Sequence, residues 1–234
     1  MRTLAKILTV GIAAGLLTIL PFKESKADVS ANVALRNKYL ATTGALFAEE
    51  PVMQPSLTYF NNGFYGVLGA NVSSEEGLNE VDYIVGYSRP LNGFNLDIGV
   101  GLFDLRNFGG SLNDNTSDAW VKLKKDLTSK SSLEIGVNKN ISGGTFSNPK
   151  GIDYNLALNY KAGGNFPIEV GTDFHYNDRY FSPDSGLSVA QLSASYPFSL
   201  GGFTFTPKAR LQKTLDKKNF RDNSDLALSI SQQF

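Results

Sequence analysis

Apolar and polar residues alternate along twelve stretches of this chain, and the connections between them alternate in length. The stretches run at about 29–40, 53–60, 64–73, 80–89, 94–103, 118–126, 132–141, 152–161, 167–176, 188–197, 203–213 and 224–234. Successive side chains of a strand point to opposite faces, so a period of two predicts strands with one apolar and one polar side. Most stretches span about nine to eleven residues, the length a tilted strand needs to cross hydrocarbon, whereas strands of water-soluble domains more often have about five or six. The connections 41–52, 74–79, 104–117, 142–151, 177–187 and 214–223 are long, and 61–63, 90–93, 127–131, 162–166 and 198–202 are short. Short turns at one end and longer loops at the other predict an all-β, antiparallel up-and-down barrel of twelve strands, of the kind found in outer membranes. A Greek-key sandwich would not sort its connections this way.

The apolar face includes Val29, Val33 and Leu35, then Val81, Tyr83, Val85 and Tyr87, then Phe94, Leu96, Ile98, Val100 and Leu102. It continues through Leu133, Ile135, Val137, Tyr154, Leu156, Leu158, Tyr160, Ile168, Val170 and Phe174. A sandwich core could also take one apolar face per strand; the sorted connections speak for the barrel. Four short turns place glycine just ahead of an aromatic: Asn62-Gly63-Phe64, Asn92-Gly93-Phe94, Gly163-Gly164-Asn165-Phe166 and Gly201-Gly202-Phe203. Gly and Asn supply the positive φ of a tight hairpin. These phenylalanines, with Tyr59, Tyr87, Tyr160, Tyr196, Phe198 and the terminal Phe234, predict an aromatic girdle at the turn end, with Tyr39, Tyr83, Tyr154, Phe174 and Tyr176 near the other.

The N-terminus reads as a processing signal. Arg2 and Lys6 precede an uninterrupted apolar run, 7–20, and Ser25-Lys26-Ala27 offers small residues at −3 and −1. A spanning helix takes about 20 apolar residues, so residues 1–27 are expected to be a cleaved export signal and 28–234 the barrel. Of 22 basic and 22 acidic residues, four and one lie in the signal, leaving 18 and 21 and a net charge of −3. No basic excess is available to neutralise phosphates, which argues against a nucleic-acid partner. There is no cysteine, so the fold must close by pairing and packing alone. Nothing in the sequence asks for a cofactor or a metal.

The opposite parity maps the inner wall. Arg36 and Lys38 on the first strand adjoin Lys208 and Arg210 on the eleventh, with only Ser229 and Ser231 of the twelfth between them, a basic patch. Asp82, Asp97, Glu134, Asp153, Glu169 and Asp173 form an acidic arc, interrupted by Lys122, Lys124 and Lys161. Opposed charges across a narrow aqueous lumen would orient dipolar solutes and hydrated ions. Twelve strands lie between packed eight-stranded barrels and open sixteen-stranded ones, so an interior closed by salt bridges stays open as an alternative.

Loop 104–117 could bend inward at Gly109-Gly110, though an ordinary exposed loop is the plainer reading. Asp114 and Asp118 match no calcium-loop spacing. Catalysis would need a base, and the single histidine is His175, with Asp173 two residues before it and Ser188 or Ser193 on the next strand. No recognisable motif surrounds them, and the chain is expected not to be an enzyme. Loops of 6–14 residues make surface display a side role.

The residues Val29-Ser30-Ala31-Asn32-Val33-Ala34-Leu35, Pro55, Gly63-Phe64-Tyr65-Gly66-Val67, Ala70-Asn71-Val72, Glu80-Val81-Asp82-Tyr83 and Gly86-Tyr87 resemble the TorF-type family, whose members are called porins on architecture. The likeness is best over 29–103. It implies an outer-membrane location, passage of small hydrophilic solutes or ions, contact with outer-membrane lipid, and assembly by the barrel-insertion machinery through Phe234.

Overall fold

The computed structural model describes residues 28–41, 43–73, 79–106, 113–142, 151–163, 167–216, 218 and 220–234. The leader 1–27, Gly109-Gly110 and Phe166 lie outside the described residues, and the Asp114 side chain does too. The strands are β1 (Asp28–Arg36), β2 (Tyr39–Leu40), β3 (Leu46–Ala48), β4 (Val52–Asn61), β5 (Phe64–Ser73), β6 (Asn79–Leu91), β7 (Phe94–Arg106) and β8 (Asn113–Asp126). They continue with β9 (Ser131–Ser142), β10 (Ile152–Lys161), β11 (Glu169–Asp178), β12 (Ser185–Ser195), β13 (Phe198–Leu200), β14 (Phe203–Thr214) and β15 (Asn223–Gln233).

Every pairing in the wall is antiparallel and, apart from the closing β1–β15 pair, joins wall strands that follow one another in the chain, with β12 and its short continuation β13 acting as one wall strand against β14. β1 pairs with β4 on one side and β15 on the other, so the sheet closes into a twelve-stranded barrel. The last bond of the seam joins the chain end to its beginning: Phe234 N donates to Val29 O at 2.8 Å. Closure leaves no unpaired edge, which a barrel in lipid requires.

The short turns form as their residues dictate. Asn62-Gly63, Asn92-Gly93 and Gly201-Gly202 all have positive φ at both positions, the geometry of a type I′ hairpin whose twist matches the flanking strands. Beside them Phe64 meets Tyr87, with centroids 4.7 Å apart, and Phe198 stacks on Phe205 at 5.4 Å. At the loop end Tyr154 and Tyr176 meet edge-on at 6.2 Å.

Solvent exposure runs opposite to that of a soluble domain. The largest fully buried side chains are Leu40 and Val189 together with Asn140, Asp153, Asp225 and Ser188. Phe64, Val85, Leu192, Leu211 and Leu226 are roughly half to two-thirds exposed on the outer face. An apolar belt of this extent is untenable in water and is what hydrocarbon demands. The sandwich reading therefore fails on the sign of its burial.

Three sequence expectations change. The first strand stops at Arg36 instead of running to 40, because the chain leaves the wall there and turns back as the β2–β3 hairpin. Tyr39 consequently leaves the outer aromatic girdle and is bonded inside, to Glu80. The connection expected over 104–117 shrinks, since β7 extends to Arg106 and β8 begins at Asn113.

Candidate functional site

Register alternation assigns the inner face. With Leu35, Tyr83, Val100, Ile135 and Leu156 exposed outside, Arg36, Asp82, Asp97, Glu134, Asp153, Glu169, Asp173, Lys208 and Arg210 all fall on the interior parity. Lys38 lies just beyond β1 and holds the loop end of β15, its Nζ donating to Asn223 Oδ1 at 2.7 Å.

The basic patch is tied to a carboxylate to which no sequence pattern points. Asp225, at the start of β15, accepts from both Arg36 and Arg210 on the flanking strands through one oxygen, Oδ2; the Arg210 contact is 3.2 Å. Asp225 is 2% exposed. Two guanidiniums and one carboxylate in so dry a place leave a single net positive charge, held rigidly by geometry. The cluster continues along the wall: Arg36 donates to Gln54 Oε1 at 3.3 Å, Gln54 to Asn71 Oδ1 at 2.5 Å, and Asn71 to Glu80 Oε1 at 2.5 Å. A polar belt thus runs from β14 through β15, β1, β4 and β5 to β6.

Two segments leave the wall at the loop end and turn inward. The first is the chain around β2–β3. Arg210 donates to the carbonyls of Leu40 and Ala41, and Gln212 Nε2 to Gly44 O at 3.0 Å. Leu40 is wholly buried. Gly44 has φ +94, and a Cβ there would run into Val189, so only glycine fits both the turn and the close approach. On the opposite flank the Tyr39 hydroxyl donates to Glu80 Oε1 at 2.7 Å. The hairpin is thereby anchored to β6 on one side and β14 on the other.

The second inward segment, 179–184, joins β11 to β12. Asn177 Oδ1 caps it by accepting from Tyr180 N at 3.0 Å and Phe181 N at 2.9 Å. The Tyr180 hydroxyl reaches across to Asp118 on β8. Phe181 then meets Phe47 of the hairpin edge-on, with centroids 5.9 Å apart. Together the two segments form a partial roof at the mouth, tied to β6, β8, β11 and β14. A cleft of about 400 Å³ stays open beside it, lined by Gly44–Glu49, Phe181, Phe220 and Arg221.

The acidic arc is distributed along the wall, not gathered at one point. Asp97 Oδ1 accepts from Tyr65 Oη at 3.1 Å and Trp120 Nε1 at 2.6 Å. Asp118 accepts from Asn140 Nδ2 at 2.8 Å as well as from Tyr180. Glu169 pairs with Lys161 at 2.8 Å near the turn end. There the lumen opens into a polar chamber of about 740 Å³, whose lining includes Lys124, Ser132, Asn159, Lys161, Glu169 and Lys208.

His175 is not paired with Asp173. Its Nδ1 lies 3.0 Å from Asp153 Oδ2 on the neighbouring strand, and both side chains are buried. The Ser188 hydroxyl donates to the backbone carbonyl of His175 at 3.1 Å, so it is engaged away from the imidazole. Ser193 sits five residues farther down β12, in register with Gly171 and Arg210. The imagined nucleophile–base–acid set is not assembled. Among the described residues no group of three or more His, Cys, Asp and Glu side chains could hold a metal ion.

No family model and no curated protein matches the sequence. Solved structures do match it. The chain is similar to a KdgM porin, with a TM-score of 0.59 and 10% identity over 88% of this chain and 99% of that one. It is also similar to a NanC porin, with a TM-score of 0.52 and 14% identity over 87% and 97%. The fold is that of these porins.

Proposed function

We propose that this chain is an outer-membrane channel for passive diffusion of small hydrophilic solutes or ions. The observation that carries the reading is the inverted wall: apolar side chains exposed outside, and Asp, Glu, Lys, Arg, Asn and Ser turned inward. Such a wall suits hydrocarbon on one side and water on the other. The fold shared with two proteins called porins supports it. The leader 1–27 would direct export and Phe234 would present the chain to the barrel-insertion machinery. TorF-type kinship, drawn from residues 29–103, is the finer form of the same proposal.

The interior charges are assigned to the solute path. Lys208 and Lys38 on one side, and Asp82, Asp97, Glu134, Asp153, Glu169 and Asp173 on the other, would set a transverse field. Arg36 and Arg210 would contribute through their complex with Asp225.

A second reading is a closed barrel, favoured by the roof fastened at Arg210 and Tyr180. Single-channel recording of refolded, leader-free protein in a planar bilayer under a salt gradient decides between them. Stepwise currents with an ion preference establish the open pore. A folded barrel that stays silent establishes the closed one.

A further inference from the structure

Four inner-wall positions lie in one register row across neighbouring strands: Tyr65 on β5, Gly86 on β6, Gly99 on β7 and Trp120 on β8. The two glycines leave a bay in the wall, and the two aromatic rings fill it from either side. A Cβ at Gly86 would overlap the Tyr65 phenol, and one at Gly99 would overlap the Trp120 indole. The atoms met are the hydroxyl-bearing edge of Tyr65 and the six-membered ring of Trp120, so each ring rests against the glycine backbone. Both turn their polar edges toward the same atom, Asp97 Oδ1, which fixes their orientation. Tyr65, Trp120 and Asp97 are only partly buried, so part of each ring and of the carboxylate stays accessible from the lumen. No partner of Asp97 Oδ2 occurs among the described residues.

We infer that this surface is a binding platform for the ring of a neutral sugar, which rests on the proposed channel reading and names the solute class for it. A pyranose has an apolar C–H face and a rim of hydroxyls that both donate and accept. The platform supplies the matching parts: a flat aromatic surface, a fixed carboxylate at its edge, and an ammonium from Lys122, which stands opposite Asp97 in the β7–β8 register. Sites of this kind combine apolar contact area with a few placed polar groups. The Asp97 carboxylate and the Lys122 ammonium opposite it leave the platform without net charge, which suits a neutral ring. A surface open on one side binds weakly, as a conduction site must if the solute is to leave again.

Trp120 is the chain's single tryptophan, so its fluorescence reports this surface and nothing else. The test titrates maltotriose into refolded protein while following Trp120 emission and its quenching by acrylamide, with ethylene glycol oligomers as a size control. The expected result is a saturable emission change and protection from acrylamide with maltotriose alone. Tyr65→Leu should weaken the midpoint by about three- to tenfold, the loss of one ring contact. Tyr65→Phe keeps the ring and should stay within about twofold, and it serves if the leucine variant does not fold. A linear, non-saturable response, or an equal response to ethylene glycol oligomers, overturns the proposal. Conductance recorded in parallel separates the two readings. A conducting protein with an unresponsive Trp120 removes the platform and keeps the channel; a silent protein with a responsive Trp120 does the reverse.

Discussion

Phe47 stands edge-on to Phe181, 5.9 Å between ring centroids and 76° between planes, although 134 positions separate them in the chain. Their contact joins two segments that enter the mouth from different sides of the barrel, one between β1 and β4 and the other between β11 and β12. Neither segment is held by strand pairing to the barrel; side chains hold both. The hairpin hangs from Arg210, Gln212 and Tyr39, and the 179–184 segment from Asn177 and Tyr180. A roof fastened this way can move without opening the wall, since the ladder hydrogen bonds are independent of it.

Shortening the hairpin should therefore widen the channel. Replacing residues 41–48 with a glycine-serine link removes Phe47 and the carbonyls of Ala41 and Gly44 that Arg210 and Gln212 hold. Unitary conductance should rise, with the barrel still resisting detergent as a folded band on gels. A folded variant with unchanged conductance would place the resistance elsewhere in the lumen.

The roof should loosen in alkali. Burial of Tyr180, together with the Asp118 carboxylate beside it, pushes the phenol well above its ordinary value of 10.0. In the roofed state the phenol stays protonated, whereas in a released segment it ionises near its ordinary pKa. The released form thus holds fewer protons above pH 10, and roof stability falls as pH rises through that value. Hydrogen exchange of the 179–184 amides should accelerate above pH 10 beyond the intrinsic base-catalysed increase. Tyr180→Phe should abolish the excess.

The wall was legible in the sequence because each strand repeats its information. Leu226, Leu228 and Ile230 all report the same outward face, and Asn62-Gly63 and Asn92-Gly93 state their turns outright. The roof has no such redundancy. Its trace was an apolar cluster, Ala45-Leu46-Phe47-Ala48, inside a long connection that should otherwise be polar. Tyr180-Phe181 repeats that anomaly in another loop. Asp225 was hidden for a different reason: a charge at the first turn of a strand looks solvated until both neighbouring strands place an arginine beside it.

Asp225→Asn should destabilise the barrel by about 3–5 kcal/mol, because it leaves two buried guanidiniums facing each other without their carboxylate. Urea unfolding in detergent micelles measures this directly. The arginine partners should not respond alike. Arg36→Met removes one guanidinium and leaves Asp225 paired with Arg210, so its cost should be smaller than that of Arg210→Met, which also frees the hairpin carbonyls. Equal costs would mean that the hairpin contacts contribute nothing.

Ion selectivity should depend more on Lys208 than on either arginine. Lys208 has no hydrogen bond or ion pair among the described residues, and it lines the turn-end chamber. The charges of Arg36 and Arg210 are partly neutralised by Asp225. A mobile ion in the chamber therefore meets the Lys208 charge with less compensation. Lys208→Glu should move the reversal potential under a salt gradient toward cations, while stability in urea changes little because no fixed partner is lost. Arg36→Glu should show the converse pattern, a smaller electrical shift and a larger loss of stability, since it sets a second carboxylate against Asp225 in a buried site. Reversal potentials that shift equally for both, or for Arg36 alone, would mean that the permeating ion passes the Asp225 cluster closely and that the chamber does not set the preference.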